Sequence, residues 1–193
     1  TERTTAVVAV DFTGQSVELD RLLAHCREHN LVLIEDGAHV IGTSYKGRMN
    51  GSIADMTTMS FHPVKTVTGG EGGAVLTNSK EYYEKLLLYR AHGITRDPKL
   101  MEHEPDGPWY YEQITLGMNY RMTDMQAALI ISQLNKLPRF MERRKAIVKA
   151  YNEAFSKLPQ LFVQQEIPES DTTRHLYILR IRPEKLTIDR KQF

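Results

Sequence analysis

The apolar residues at the start of the chain change periodicity twice. Ala6–Val10 is a continuous apolar run, which is typical of a short, buried β-strand. Over residues 17–29 the apolar positions recur with a helical period, and residues 31–34 are again continuous, as in a parallel strand buried on both faces. A strand, a helix and a strand in this order predict a β-α-β crossover, and therefore a layered α/β sheet.

Two further strands and a helix are predicted downstream. The strands cover residues 54–61 and 73–76, and a glycine-rich loop separates them. Ser79 is predicted to cap a helix that runs to about residue 91, and Gly93 ends it. Residues 95–109 are polar and contain three prolines, so we interpret them as an ordered insertion or a mobile loop.

The remaining pattern divides the chain in two. Thr123 opens a long amphipathic helix that Pro138 interrupts or kinks, and residues 176–181 resemble a strand of a smaller unit. We therefore predict that residues 1–135 form part of a large domain. Residues 136–193 would form a long helix and the beginning of a small carboxyl-terminal domain. The chain starts directly at a strand and shows no stop signal at its end, so we expect it to be a fragment.

Composition narrows the class of function. Hydrophobic residues make up 41% and charged residues 25%, as in an ordinary globular protein. The formal net charge of +1 gives no bulk attraction to nucleic acid or to an anionic membrane, and we expect neither as a partner. No apolar run has the length of a membrane span, and the start does not resemble a signal peptide. The single cysteine, Cys26, excludes an internal disulfide and suits a reducing cytoplasm, which is the compartment we expect.

One lysine and one acid carry the strongest chemical signal. Four of the eight residues after Lys65 are glycine. A backbone with so few side chains permits the close approach of a cofactor. Asp36 follows an apolar strand, where open α/β sheets place their ligands. Such a lysine can hold an aldehyde cofactor as a Schiff base, and such an acid can keep a pyridine ring protonated. Together they predict a pyridoxal phosphate (PLP) site.

Each of these residues also has a plainer interpretation. Alone, Lys65 would be a surface lysine, and Asp36 would be a helix cap or a solvated turn. His39 could stack on the cofactor ring or bond its phenolic oxygen, or it could be a structural histidine. The Ser60 hydroxyl could reach a phosphate oxygen or bond the backbone. The glycines match neither the Walker pattern nor the dinucleotide fingerprint.

Three further groups of polar residues lie outside that pair. Asn119, Tyr120 and Arg121 precede the long helix, where they could contact an anion or belong to a helix cap. His25 and His29 have a metal-ligand spacing, but the sequence shows no third ligand cluster, so we predict a solvated helix face and no metal. The basic residues 139–149 have no interleaved aromatics and are predicted to form a solvated or subunit-facing surface.

Four segments resemble a known family in order and content: residues 35–39, 60–65 with the glycine tail, 90–94 and 117–121. The resemblance is to the DegT/DnrJ/StrS family of PLP-dependent nucleotide-sugar aminotransferases. Residues 93–120 are most similar to the branch that acts in pseudaminic acid biosynthesis. That branch aminates a UDP-linked 4-keto-6-deoxy-N-acetylhexosamine with glutamate as amino donor. The implied fold is the fold-type-I PLP-dependent transferase, an α/β/α sandwich. The chain would supply the second half of that large domain and the start of a small α+β domain.

The resemblance also implies roles for the cofactor residues. Lys65 would form the Schiff base and move the proton during transamination, and Asp36 would pair with the pyridine nitrogen. His39 would lie near the ring and its phenolic oxygen. Ser60 would bind the cofactor phosphate, and so would Asn119 from the neighbouring subunit, which implies a homodimer.

The substrate side of the site is assigned to Tyr120, Arg121 and His175. Two alternatives stay open: a non-catalytic α/β module that has lost the cofactor, and a PLP-dependent sugar dehydratase. Relatives of the dehydratase type carry histidine at the position of Lys65, so lysine favours transamination. The chain departs from the family in one respect. The glycine/threonine phosphate cradle and the aromatic residue that stacks on the ring are expected upstream of its first residue.

Overall fold

The structure is a computed structural model that describes residues 1–189 and 191–192. The strands within these residues are β1 (Ala6–Val10), β2 (Val32–Asp36), β3 (Ser44–Tyr45), β4 (Arg48–Met49), β5 (Met56–Ser60), β6 (Gly73–Leu76), β7 (Ile94–Thr95), β8 (Glu112–Gln113), β9 (Leu161–Val163), β10 (Ser170–Asp171) and β11 (Leu179–Ile181). The α-helices are α1 (Leu19–Glu28), α2 (Lys80–Arg90), α3 (Asp124–Leu134) and α4 (Leu137–Phe155).

The main sheet has the order β1-β2-β5-β6. The pairs β1–β2 and β2–β5 are parallel, and β6 is antiparallel to β5. Helix α1 makes the crossover between β1 and β2, which confirms the predicted β-α-β unit. Three small antiparallel pairings surround this sheet: β3 with β4 and β10, β7 with β8, and β9 with β11.

The core lies where α1 covers β1 and β2. Leu19, Cys26 and Leu33 are fully buried there, and Tyr45 is 2% exposed. Burial of a leucine side chain contributes about 1.5–3 kcal/mol, so this cluster is the main reason that α1 is held on the sheet. A second buried cluster joins the loop after β5 to α3 through Phe61, Val67 and Ile130.

The prediction for β1 was wrong in one respect. Its run is apolar throughout, and a buried strand was expected. Val8 and Val10 are instead 62% and 52% exposed, whereas Ala9 is buried. Side chains alternate along a strand, and α1 covers only one face of β1. The other face is therefore open to solvent in this structure.

Helix ends follow the local sequence signals. The Ser79 hydroxyl accepts a hydrogen bond from the backbone N–H of Tyr82 and caps α2, as predicted. Thr123 forms a capping box with Gln126 at the start of α3. Pro138 separates the predicted long helix into α3 and α4 because it fits in the first turn of a new helix but not inside one.

The segment after residue 95 is folded back on β8. Both oxygens of the Glu112 carboxylate accept backbone N–H groups, from Glu102 at 2.6 Å and from His103 at 3.1 Å. These contacts agree with an ordered insertion. The strand predicted over residues 176–181 is shorter in the structure, where β11 pairs with β9.

The carboxyl-terminal part of the chain returns to the main sheet region. Strand β10 pairs with β3, and the N–H of Leu176 donates to the carbonyl of Thr13 at 3.1 Å. The division into residues 1–135 and 136–193 remains a prediction. Within the described residues, no helix is both long enough and apolar enough to cross a membrane.

Candidate active site

Asp36 and Ser60 lie at the same edge of the main sheet, as their positions at the ends of parallel strands predict. Asp36 is paired with Thr58 across the β2–β5 ladder, two residues before Ser60. One oxygen of Asp36, Oδ1, accepts the N–H of Ala38 at 3.2 Å, and Oδ2 has no hydrogen-bond partner among the described residues. The Ser60 hydroxyl accepts the N–H of His62 at 3.4 Å. The half-buried Asp36 therefore keeps one oxygen available to a ligand.

Lys65 lies in a loop that closes on itself. The N–H of Phe61 donates to the carbonyl of Gly72, and the N–H of Gly69 donates to the carbonyl of Phe61, both at 2.9 Å. Phe61 and Val67 are buried and anchor the loop on either side of Lys65. The lysine itself is half-buried, and its amine has no hydrogen bond or ion pair with any residue in 1–189 or 191–192. A fixed backbone thus presents a free amine.

Two histidines are in contact near Asp36, and the charge of Lys65 acts on both of them. The rings of His39 and His175 lie 4.4 Å apart between centroids and are tilted by 40°. Burial, and then the nearby charge of Lys65, lower the pKa of His39, whereas Asp36 acts in the opposite direction. The pKa of His175 falls to about 4 because of burial, with further contributions from His39 and Lys65. Both imidazoles are therefore neutral at neutral pH, and the lysine, the acid and the histidines share one electrostatic environment.

A cluster of threonines around Gly14 positions the two imidazoles. Gly14 has φ +98°, and a side chain there would lie 2.8 Å from the hydroxyl of Thr173 and 3.0 Å from the carbonyl of His39. The carbonyl of Gly14 accepts hydrogen bonds from the hydroxyls of Thr43 at 2.7 Å and Thr172 at 2.6 Å. Only glycine allows this backbone conformation and this close approach at low cost. The sequence pattern did not reveal this cluster, because its members are far apart along the chain.

Arg144 corrects one prediction. It belongs to the basic run that was expected to be solvated or to face a subunit. It is instead half-buried on α4, and its Nη1 donates to the carbonyls of Arg174 at 3.1 Å and His175 at 3.3 Å. Helix α4 thus fixes the segment that carries His175. The Nδ1 atom of His175 is buried and has no hydrogen-bond partner in the described part of the chain.

Two buried acids lie close to Asp36. Asp11 and Glu35 are fully buried, and the amide Nδ2 of Asn50 donates to both, at 3.1 Å and 2.6 Å. Burial, and then the hydrogen bond with Glu35, raise the pKa of Asp11 to about 8. The N–H of Asp11 also donates to the carbonyl of Asp36 at 3.2 Å. The sequence analysis missed Asp11, although it carries the same signal as Asp36, an acid after an apolar strand.

Asn119, Tyr120 and Arg121 lie apart from this group. Asn119 forms a β-bridge with Ala91, and the N–H of Tyr120 donates to the carbonyl of Arg90 at 2.9 Å. All three predicted residues are exposed, and the Arg121 guanidinium donates to the Asn119 side chain at 3.2 Å. Their predicted roles toward cofactor and substrate stay predictions.

The donor set fits a pyridine aldehyde phosphate. Among the described residues, the Lys65 amine, one oxygen of Asp36 and the buried Nδ1 of His175 have no hydrogen-bond partner, and Lys65 and Asp36 both act electrostatically on His39. A carboxylate suits a protonated ring nitrogen, and a free lysine amine suits an aldehyde. This fold and these groups define a class of protein, the fold-type-I PLP-dependent transferases.

The comparison with protein families gives a more specific assignment. Residues 1–193 match the DegT/DnrJ/EryC1/StrS aminotransferase family, and the chain belongs to that family. The family depends on PLP, and solved relatives include PLP and PMP forms. The resemblance drawn from the four sequence segments is therefore confirmed.

Individual relatives are similar over nearly all of the chain. A UDP-4-amino-4,6-dideoxy-N-acetyl-beta-L-altrosamine transaminase of Campylobacter jejuni is 39% identical over 179 residues, which are 93% of this chain and 45% of that protein. The structure of Helicobacter pylori PseC, an aminotransferase involved in pseudoaminic acid biosynthesis, superposes with a TM-score of 0.86 at 32% identity. It covers 95% of this chain, which matches 47% of PseC. The PLP form of a putative sugar aminotransferase, Spr1654 of Streptococcus pneumoniae, gives 0.81 at 30% identity, covering 94% and 49%. The chain thus spans about half the length of these relatives.

Proposed function

We propose that the protein containing this chain is a PLP-dependent transaminase that acts on a nucleotide-linked 4-keto-6-deoxy sugar. It moves the amino group of an amino acid, glutamate in our proposal, to the keto carbon. The products are the amino sugar and 2-oxoglutarate. The observation that carries the proposal is the shared electrostatic environment of Lys65, Asp36 and the two histidines. The names of the relatives support the substrate class.

Asp36 and Lys65 have separate roles in this proposal. The bound cofactor would supply an electron-withdrawing ring next to the substrate carbon. Asp36, through its free Oδ2, would accept the hydrogen bond of the protonated ring nitrogen and keep that nitrogen cationic. Lys65 would be the point of covalent attachment. Its amine, once released, would carry the proton to and from the substrate carbon.

The histidines would shape the site without adding charge. Since burial lowers the pKa of both imidazoles, they are neutral hydrogen-bonding groups at neutral pH. We assign His39 to the ring and its phenolic oxygen. His175, with its unpartnered Nδ1, is assigned to the sugar.

The phosphate and the subunit contacts are assigned from the family. Ser60 at the end of β5 would bind the cofactor phosphate from within the chain. Asn119 would bind the same phosphate across a homodimer interface, because its position on the exposed surface beyond α2 suits contact with a second subunit. Tyr120 and Arg121 would reach the substrate from the same surface. We likewise propose glutamate as the amino donor, a homodimer as the assembly and the cytoplasm as the location.

The attachment site can be tested chemically. The full-length protein that contains this chain is incubated with PLP, reduced with borohydride and digested, and the labelled peptide is identified by mass spectrometry. We expect the label on Lys65, its absence in Lys65→Ala and its persistence in Lys80→Ala, a lysine whose side chain is 88% exposed on α2. A label on any other lysine, or none, would contradict the assignment.

A product assay separates the proposal from its two alternatives. A transaminase consumes glutamate and releases 2-oxoglutarate in proportion to the amino sugar formed. A sugar dehydratase would need an electron donor and would leave glutamate untouched. A non-catalytic module would retain no cofactor, so the borohydride experiment would give no label at all.

A further inference from the structure

The outer face of α1 carries three potential metal ligands that the active site does not use. His25, Glu28 and His29 are exposed, and one ligand atom from each lies within 4.8 Å of the others. The two imidazole rings are in contact, with centroids 4.5 Å apart. Residues four apart on a helix lie on the same face, so the backbone already places the two imidazoles side by side.

None of the three side chains is engaged elsewhere. In the described part of the chain, their nitrogen and oxygen atoms have no hydrogen bond or ion pair with another side chain. Cys26, between them in sequence, is fully buried and faces the core, so it is not a competing ligand. The three donors are therefore free to bind an ion without breaking an existing contact.

A groove beside the helix leaves both imidazoles open to solvent and to an incoming ion. It has a volume of about 410 Å³ and is lined by His25, His29, Val7 and the acidic residue Glu2. From the sequence, a metal was not expected because no third ligand cluster supports the two histidines. The structure places the Glu28 carboxylate within 4.8 Å of both imidazole ligand atoms.

We propose that His25, His29 and Glu28 form a binding site for a divalent transition-metal ion of the zinc class. Two imidazoles and a carboxylate are a donor set that zinc accepts, with the remaining positions open to water or to Glu2. The site lies at the end of α1 that precedes β2, whereas Asp36 lies at the far end of that strand. It is separate from the proposed cofactor site and would stabilise the contact between α1 and the amino-terminal segment.

The test is a zinc titration of the tag-free chain after treatment with EDTA and dialysis, followed by calorimetry. We expect one ion per chain, and a melting temperature raised by about 5 °C at a hundredfold excess over the dissociation constant. The double variant His25→Ala/His29→Ala should bind more than about tenfold more weakly, as removal of both nitrogen ligands demands. Cobalt added in place of zinc should give the visible absorption of a site with nitrogen ligands, and the double variant should lose it.

Two control variants make the result specific. His103→Ala removes an exposed imidazole that also lies beside a carboxylate, Glu112, but has no second imidazole partner. His39→Ala disrupts the other pair of contacting imidazoles in the described residues. Both should bind zinc as the wild type does. Binding that persists in the double variant, binding lost in either control, or no binding below about 1 mM zinc would overturn the proposal. The Lys65 label should be unaffected in the double variant and in His103→Ala, so failure here is distinguishable from failure of the proposed function.

Discussion

Asp11 directly follows β1 and Asp36 ends the neighbouring parallel strand β2, at the same edge of one sheet, yet their environments differ. Asp11 is fully buried, and both of its oxygens accept hydrogen bonds, from the N–H of Val17 at 2.8 Å and from Asn50 at 3.1 Å. Asp36 is half-buried and has one oxygen free. An acid at a strand end is therefore structural when neighbouring groups donate hydrogen bonds to both of its oxygens. It stays available to a ligand when one oxygen accepts no hydrogen bond.

The proton count of the buried pair supports this distinction. The Nδ2 atom of Asn50 lies within hydrogen-bond distance of Asp11, Glu35 and Ser16, but it carries only two hydrogens. Two carboxylates in a dry environment cannot both be ionised at low cost. A proton held by Asp11 resolves both problems, and it agrees with the raised pKa of Asp11.

The largest effect is expected at Asp36. Asp36→Asn removes the anion assigned to the ring nitrogen, so kcat for amination should fall by about 10²–10³-fold. The urea midpoint should stay within error, because the free oxygen has no partner to lose. A rate equal to that of the wild type would show that Asp36, like Asp11, does not hold a ligand through its carboxylate.

The next effect is on stability. Glu35→Ala leaves the amide of Asn50, the N–H of Gly51 and the hydroxyl of Thr57 without their acceptor, at a cost of about 3 kcal/mol. Urea unfolding measures this cost. The matched control is Glu84→Ala, which removes an exposed acid on α2 and should cost less than about 0.5 kcal/mol. Equal costs for the two variants would mean that the buried network contributes nothing.

The third effect is a dependence of stability on pH. The pKa of Asp11 is about 8 in the folded state and 3.8 ordinarily, so the folded state holds an extra proton between these values and stability falls as pH rises. His175 acts in the opposite direction between about pH 4 and 6.5, because its lowered pKa leaves the unfolded chain with more protons. A net decline is therefore expected from pH 6.5 to 8, at up to about 1.4 kcal/mol per pH unit.

Urea titrations at pH 6.5 and pH 8 check this decline, and Asp11→Asn should abolish it. If the free energy of unfolding of the wild type rises over that interval, Asp11 does not hold the extra proton in the folded state.

The smallest effect is expected for Asp11→Asn at neutral pH. Asparagine has the shape of the protonated acid and can still donate to Glu35, so the free energy of unfolding should change by less than about 1 kcal/mol. The kcat should also stay close to the wild-type value, in contrast to the same substitution at Asp36. A loss of several kcal/mol would show that Asp11 is ionised in the folded state.

The predictable parts of the fold are those specified by short-range signals. The β-α-β unit, the Ser79 cap, the Thr123 cap and the break at Pro138 all follow from residues within a few positions of each other. The exposure of Val8 and Val10 could not be predicted in the same way. An apolar run predicts a strand, but only the neighbouring elements determine which of its faces are covered.

The residues of the candidate site show the same contrast between local and long-range signals. Lys65 and Asp36 were predicted because each stands next to a strong local signal, a glycine-rich loop or a strand end. Arg144 and Asp11 were misjudged or missed, since a basic helix and an acidic strand end each have two common outcomes. Their roles depend on hydrogen bonds to residues about 30 or more positions away, such as those from Arg144 to the His175 carbonyl and from Asn50 to Asp11.

The order of the main strands and helices and the family follow from the sequence alone, which also predicts the chemistry of the lysine and acid pair. These properties depend on periodicity and on short motifs, which survive in one dimension. Tertiary contacts were needed to show which acid has a raised pKa, which two imidazoles are in contact and which histidines lie beside an open groove. Burial and hydrogen-bond satisfaction are properties of neighbours in space, and the chain brings those neighbours together only when it folds.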